Sequence, residues 1–317
     1  IYASSKLSIE GVELPREVLD MLSWALKSTH FKSLRLCENN FGRDGMKFAL
    51  NYMQNNPVLE VFTMAGNPIH RESYIHRLCE VIREHPTVHT IQLYAACGEG
   101  INGHEMLSSI MTAGLSKLES IVLCRNRIST EGSTFIARCL ATNPILERLV
   151  LYDNNIDDED AKSISSALKH NTNLRYFNVN ENEITNLGWS ALSKAEFDST
   201  SLNSAADSNH TCSIHSKSKF NGRRHNEWFE PNAVRQKKIY SILSSRNREC
   251  SNIQSLDDVP VEILPDMLTS IQRYSEYYNG DNAPPKHDGN VEALSVVYEI
   301  MRFWNEAFSV YESLSRS

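Results

Sequence analysis

Between residues 30 and 190 the apolar positions return at a fixed interval. Each time there is a short alternating run, and then a longer stretch with helical spacing. Leu118, Ile121, Leu123, Asn126 and Ile128 fit L-x-x-L-x-L-x-x-N-x-I, and the pattern recurs as Leu146, Leu149, Leu151, Asn154, Ile156 and as Leu174, Phe177, Val179, Asn182, Ile184. Upstream it reads Phe31, Leu34, Leu36, Asn39, Phe41, then Leu59, Phe62, Met64, Asn67, Ile69. A looser copy holds Val88, Ile91, Leu93 and, after an insertion, Ile101, while Leu7, Ile9 and Leu14 look like a further copy cut near its start. Copies beginning at residues 31, 59, 88, 118, 146 and 174 set a pitch of 28 to 30 residues.

Alternation of period two makes each L-x-L a short strand with both apolar side chains inward. The Asn then turns the chain, its amide supplying partners for backbone groups that have left the ladder. The remainder of each copy predicts a helix, over 44–55, 71–84, 104–113, 131–141 and 158–169. Pairs such as Ile136 and Leu140, or Ile164 and Leu168, fall on one face. One copy cannot bury its apolar stripe alone, so the copies must stack.

A unit of this length with one strand and one full helix resembles the ribonuclease-inhibitor-like subtype of leucine-rich repeat. The resemblance implies an α/β solenoid, parallel strands on its concave side and helices on its convex side, followed by an all-α C-terminal region. It also implies a scaffold for a protein partner, with no catalysis and no cofactor. The identity of that partner lies in the exposed positions, not in the repeat.

The expected organisation is a solenoid over 1–200, a degenerate capping repeat and loop over 201–231, and a helical C-terminal region over 232–317. A seventh unit would start at Leu202, but Ala205, Asp207, His210 and Cys212 stand where Leu, Leu, Asn and Ile belong. Such a copy suits the end of a stack, whose last apolar face needs a polar cover. Helices are then predicted over 232–248, 261–278 and 291–313. The Asn-His-Thr-Cys segment at 209–212 and the Val-Pro-Val-Glu-Ile-Leu-Pro segment at 259–265 resemble tails of leucine-rich repeat families in single-celled algae.

Composition adds limits. The 317 residues are 41% apolar and 22% charged, enough for a core and too polar for a bilayer. No run of 18 apolar residues and no apolar signal core occurs, and the chain begins at Ile1 without Met, which leaves room for a signal before it. Seven cysteines without CxxC pairs suit reduced thiols and a cytoplasmic setting. The net charge of -7 argues against a chain that wraps nucleic acid with its whole surface. A local exception lies in the 217–248 segment, where Lys217, Lys219, Arg223, Arg224, Arg235, Lys237, Lys238, Arg246 and Arg248 face only Glu227 and Glu230. That segment could bind RNA or an acidic partner, although Phe220, Trp228 and Phe229 supply few aromatic platforms for single strands.

Other chemistry competes with structural explanations. Gly98, Gly100 and Gly103 spell the dinucleotide fingerprint GxGxxG between a strand and a helix. They also sit inside the third repeat, where the turn Asn is missing and glycines ease an irregular loop. Asp157, Asp158, Glu159 and Asp160 suggest a cation site or, more simply, negative charge at a helix start. His210, Cys212 and His215 are three soft ligands without a second cluster, so no metal is expected. No GxSxG, HExxH or P-loop occurs.

The outward strand positions form columns about 4.8 Å apart that run side by side over roughly 25 Å. One column reads Arg35, Thr63, Gln92, Val122, Val150, Asn178, and the next reads Cys37, Ala65, Tyr94, Cys124, Tyr152, Asn180. Tyr94, Val122, Cys124, Val150 and Tyr152 are expected as an exposed apolar centre bordered by Arg125, Arg148 and Asp153, a hot spot within a polar rim. The competing explanation is the strand propensity of Val and Tyr. An alternative function comes from Arg125, Asn126, Arg127, Ile128, Gly132 and Ser133, which resemble a segment of the GTPase-activating proteins of Ran. That family builds the same repeats, but the array here has fewer intact copies and no acidic tail.

Overall fold

The computed structural model describes residues 6–40, 42–114, 116–215, 226, 230–248 and 261–279. Contacts divide the chain into two compact units, one of residues 1–193 with 211–224, the other of residues 194–210 with 225–317.

In the first unit every alternating run is a strand: β1 (Lys6–Glu10), β2 (Ser33–Cys37), β3 (Val61–Ala65), β4 (Thr90–Tyr94), β5 (Ser120–Cys124), β6 (Arg148–Val150), β7 (Tyr176–Asn178) and β8 (Ser213–His215). They pair in chain order, all parallel, in one eight-stranded sheet. The connecting helices are α1 (Arg16–Ala25), α2 (Gly42–Asn55), α3 (Glu72–Glu84), α4 (Gly103–Gly114), α5 (Phe135–Ala141), α6 (Asp158–Leu168) and α7 (Asn186–Glu196). This is an α/β leucine-rich repeat solenoid, with an all-α C-terminal region in the second unit. Register places Leu34, Phe62, Ile91, Ile121, Leu149, Phe177 and Ile214 in one row, and all of them are buried. Truncating one such residue to Ala removes contacts to both neighbouring repeats and costs about 2–5 kcal/mol.

Between the strand and the helix each repeat turns through a left-handed residue: Gly11, Glu38, Gly66, Ala95, Arg125, Asp153 and Glu181 all have positive φ. The Asn that follows is buried and stitches repeats together. Asn126 Nδ2 donates to the Leu93 and Cys124 carbonyls at 2.9 Å, while its Oδ1 accepts from the Ala96 and Cys97 amides at 2.8 and 3.1 Å. Asn67, Asn154 and Asn182 repeat that geometry along the sheet. In the third copy Ala96 stands in the Asn position, and main chain takes over: the Ile69 amide donates to the Ala96 carbonyl at 2.7 Å, beside an Ile69–Cys97 bridge.

Two expectations are corrected. The helix predicted over 131–141 begins only at Phe135, because Glu131 and Gly132 have φ of 53° and 78°. The seventh unit does not start at Leu202: Leu202–Ala206 is a short helix, α8, and Ile214 takes the inward strand position opposite Phe177. The sequence between α7 and β8 holds no apolar alternation until Cys212, so pitch alone misplaced the strand.

The second unit contains α8, α9 (Pro231–Arg248) and α10 (Leu264–Asn279), the last preceded by a 3-10 turn at Val261–Ile263. Pro265 fits the first turn of α10, where its missing N–H is not needed. Leu202, Ala205, Ile239, Ile242, Leu243, Ile263, Leu264, Met267 and Ile271 form its core, with Phe197 and Tyr240 packed against it. The helix predicted over 291–313 lies outside the described residues.

Candidate functional site

Strand pleating sends three columns of side chains outward, and register fixes their neighbours. Thr90, Ser120, Arg148, Tyr176 and Ser213 run along one, and Gln92, Val122, Val150, Asn178 and His215 along the next. Tyr94 and Cys124 lie side by side in the third. Arg35 sits at the β2 end, 3.8 Å from Glu10, and Thr63 donates to Gln92 at 3.1 Å.

The centre differs from the exposed patch expected. Val122, Cys124 and Val150 are buried at 2%, 6% and 5% exposure, and Tyr94, Tyr152 and Tyr176 pack against them partly buried. The tyrosine rings come from the columns flanking Val122 and Val150 and pack against the small side chains, so the surface offered to a partner is aromatic. Burial also raises the Cys124 thiol to about 11 and lifts the Tyr94 hydroxyl above its ordinary value. Neither group ionises near neutral pH.

Around this centre, the Arg148 guanidinium lies 4.1 Å over the Tyr176 ring, and Tyr176 stacks at a tilt on His215 with centroids 5.8 Å apart. Arg125 binds Asp153 at 2.8 Å on the adjoining turn. Asn178 accepts from the amide and the side chain of Asn180, both at 3.0 Å, and Asn180 is buried. Tyr176 and His215 were missing from the sequence-based columns. Tyr176 precedes the first inward residue, a position that also holds Arg148 and was readable; His215 was hidden by the misplaced seventh strand.

The competing motifs are absorbed by the repeat. A Cβ on Gly98 would come within 2.3 Å of the Ile69 carbonyl, and one on Gly103 within 2.5 Å of the Asn126 carbonyl, so both glycines permit neighbouring repeats to approach. The start of α4 is occupied by Asn102, which accepts from the His104 amide at 2.8 Å. In the acidic run, Asp157 caps its own helix with Asp160 in a reciprocal box, and Asp160 also accepts from Thr130. Asp158 accepts from the Thr185 hydroxyl, and from the Thr185 and Gly188 amides at the start of the next helix at 2.8 and 3.0 Å; the hydroxyl bond first, then the amides, hold its carboxyl below the usual range. Glu159 pairs with Lys162 at 2.5 Å.

Among the described residues no three His, Cys, Asp or Glu side chains gather as a metal site. His210 meets the Ala206 carbonyl and Lys238, Cys212 is fully buried, and His215 stacks on Tyr176. In the basic segment, Lys217, Lys219, Phe220, Arg223, Arg224, Trp228 and Phe229 lie outside the described residues, as do the side chains of Arg246 and Arg248. Of the rest, Arg235 pairs with Asp266 at 2.9 Å and Lys238 is buried. In the segment resembling GTPase activators, Arg127 donates to the Cys97 and Gly98 carbonyls, a bond between repeats. Among the described residues no helix is long and apolar enough to cross a membrane.

A family model for leucine-rich repeats matches residues 142–165 and 170–193. No curated protein matches the chain. Solenoids of this kind are generally protein-interaction modules with a binding surface along the sheet. The two matched repeats, together with the parallel sheet and its helices, support a leucine-rich repeat protein.

Proposed function

We propose that the chain is a non-catalytic, protein-binding scaffold of the ribonuclease-inhibitor-like kind, and that its partner docks on the outward face of β4 to β8. The observation that carries this reading is the aromatic wall of Tyr94, Tyr152 and Tyr176 over a small apolar cluster, next to the exposed Arg148. Tyrosine and arginine are the side chains that concentrate binding energy in interfaces, because each offers a large contact area together with a polar end. The proposed setting is the cytoplasm, where thiols such as that of Cys97 stay reduced.

The test is affinity capture from native lysate with wild type and the Tyr94→Ala, Tyr152→Ala double variant. Loss of the captured protein with an unchanged helical circular-dichroism signal is the expected outcome. Equal capture by both forms removes the tyrosine face from the interaction, and loss of the helical signal assigns the rings to the core.

A further inference from the structure

We propose that the face reads a carboxylate: an acidic segment of a protein partner, bearing an aliphatic or aromatic residue beside its Asp or Glu, docks with that carboxylate on Arg148 and the apolar side chain on the tyrosine wall. This rests on the binding reading above and names the chemistry of the partner.

The charge distribution points to an acidic occupant. The chain as a whole carries -7, yet no outward position of β2 to β8 holds a carboxylate, and the cations there are Arg35 and Arg148. Tyr94 lies in the field of both. Arg35 has Glu10 within 3.8 Å, and the nearby acid Asp153 is paired with Arg125. Arg148 sits opposite Tyr176 and Ser120 in register, with no acid in its column. A cation on a face whose outward positions hold no carboxylate favours an acidic ligand.

The geometry of Arg148 fits a planar acceptor. Its guanidinium carbon is 4.1 Å above the Tyr176 centroid, and the ring is itself backed by His215 at 5.8 Å. The contact with the ring positions the guanidinium, whose fork of N–H groups matches a carboxylate through two parallel hydrogen bonds. The Tyr94, Tyr152 and Tyr176 rings stand around buried Val122, Cys124 and Val150, so an apolar side chain beside the carboxylate would land on a rigid aromatic surface. Desolvation by that side chain strengthens the ion pair it adjoins.

The experiment pans a phage library of random short peptides on the protein, then measures the most enriched peptide by fluorescence anisotropy beside a twin whose Asp and Glu are replaced by Asn and Gln. Enrichment of Asp or Glu next to aliphatic or aromatic residues is expected. So is a roughly tenfold or greater loss of affinity for the amide twin and for Arg148→Gln, the weight of a charge-assisted hydrogen-bonded pair. Arg148→Lys should fall between, since it keeps the charge but not the fork, and Tyr176→Phe should bind as wild type does. Circular dichroism checks that each variant is folded. Enrichment without acidic residues, no enrichment, or an Arg148→Gln variant that binds equally well overturns the carboxylate assignment. If Tyr94→Ala, Tyr152→Ala then still abolishes binding, the docking face stands without it; if no variant changes binding, both fall.

Discussion

The two units bury polar groups in opposite ways. In the solenoid the burden is spread: Asn67, Asn126, Asn154 and Asn182 each satisfy main-chain groups of their own repeat and its neighbour. In the helical unit a buried cation stands among the polar groups that carry it. Lys238 is 1% exposed, donates to the carbonyls of Glu196 and Asn209, and stands 3.4 Å from His210 Nδ1. A repeated neutral amide sets the same small cost at each turn, whereas a single buried cation makes a large local commitment. The solenoid should therefore fail by degrees along its length and the helical unit all at once.

The largest effect that would break this contrast is Asn126→Ala. It removes four hydrogen bonds and takes the side-chain acceptor from the Ala96 and Cys97 amides, so the first unit should lose about 4 kcal/mol. Native-state hydrogen exchange should register the loss in the repeats around β4 to β6 and leave α9 and α10 protected. Lys238→Met comes next, because Met fills most of the space but removes the ammonium that donates to the Glu196 and Asn209 carbonyls. A loss of about 2–3 kcal/mol confined to the second unit is expected, read as faster exchange in α9. Uniform changes across both units in either variant would mean that the units unfold together.

Acid sharpens the comparison further. Burial, with the Lys238 charge as the next cause, depresses His210 from 6.5 to about 4. Its neutral form is favoured by the fold, so that contribution is present above about pH 6.5 and is lost as pH falls toward about 4. In the solenoid, burial raises Asp160 above 3.8, which has the reverse sign: the folded state binds the proton more readily, and stability rises as pH falls through that raised value. Mild acid should loosen α9 and α10 before the repeats, and His210→Gln should flatten the dependence of the second unit, measured by pH-dependent exchange.

The smallest effect is expected at Arg125→Gln. Its pair with Asp153 is well aligned at 2.8 Å but solvent-exposed, so the change should shift the first unit by no more than about 0.5 kcal/mol in a denaturant titration. A large shift would show that the turn depends on the ion pair and not on the adjoining Asn126.

Sequence by itself determined most of the solenoid. A residue one pitch away occupies the equivalent place in the next copy, so alternation and the recurring Asn settled which side chains face inward, which are neighbours, and how the turns are held. The columns through Gln92, Val122, Val150 and Asn178 were readable for that reason. Tertiary structure alone decided two things. It placed β8 at Ser213–His215, because the segment carrying α8 breaks the period that would have predicted it. It also turned Val122, Cys124 and Val150 from an exposed patch into the buried floor of a tyrosine wall. Pattern gives the direction of a side chain, but burial depends on how far the rings of adjacent columns reach across it, and that is a property of packed volume rather than of spacing.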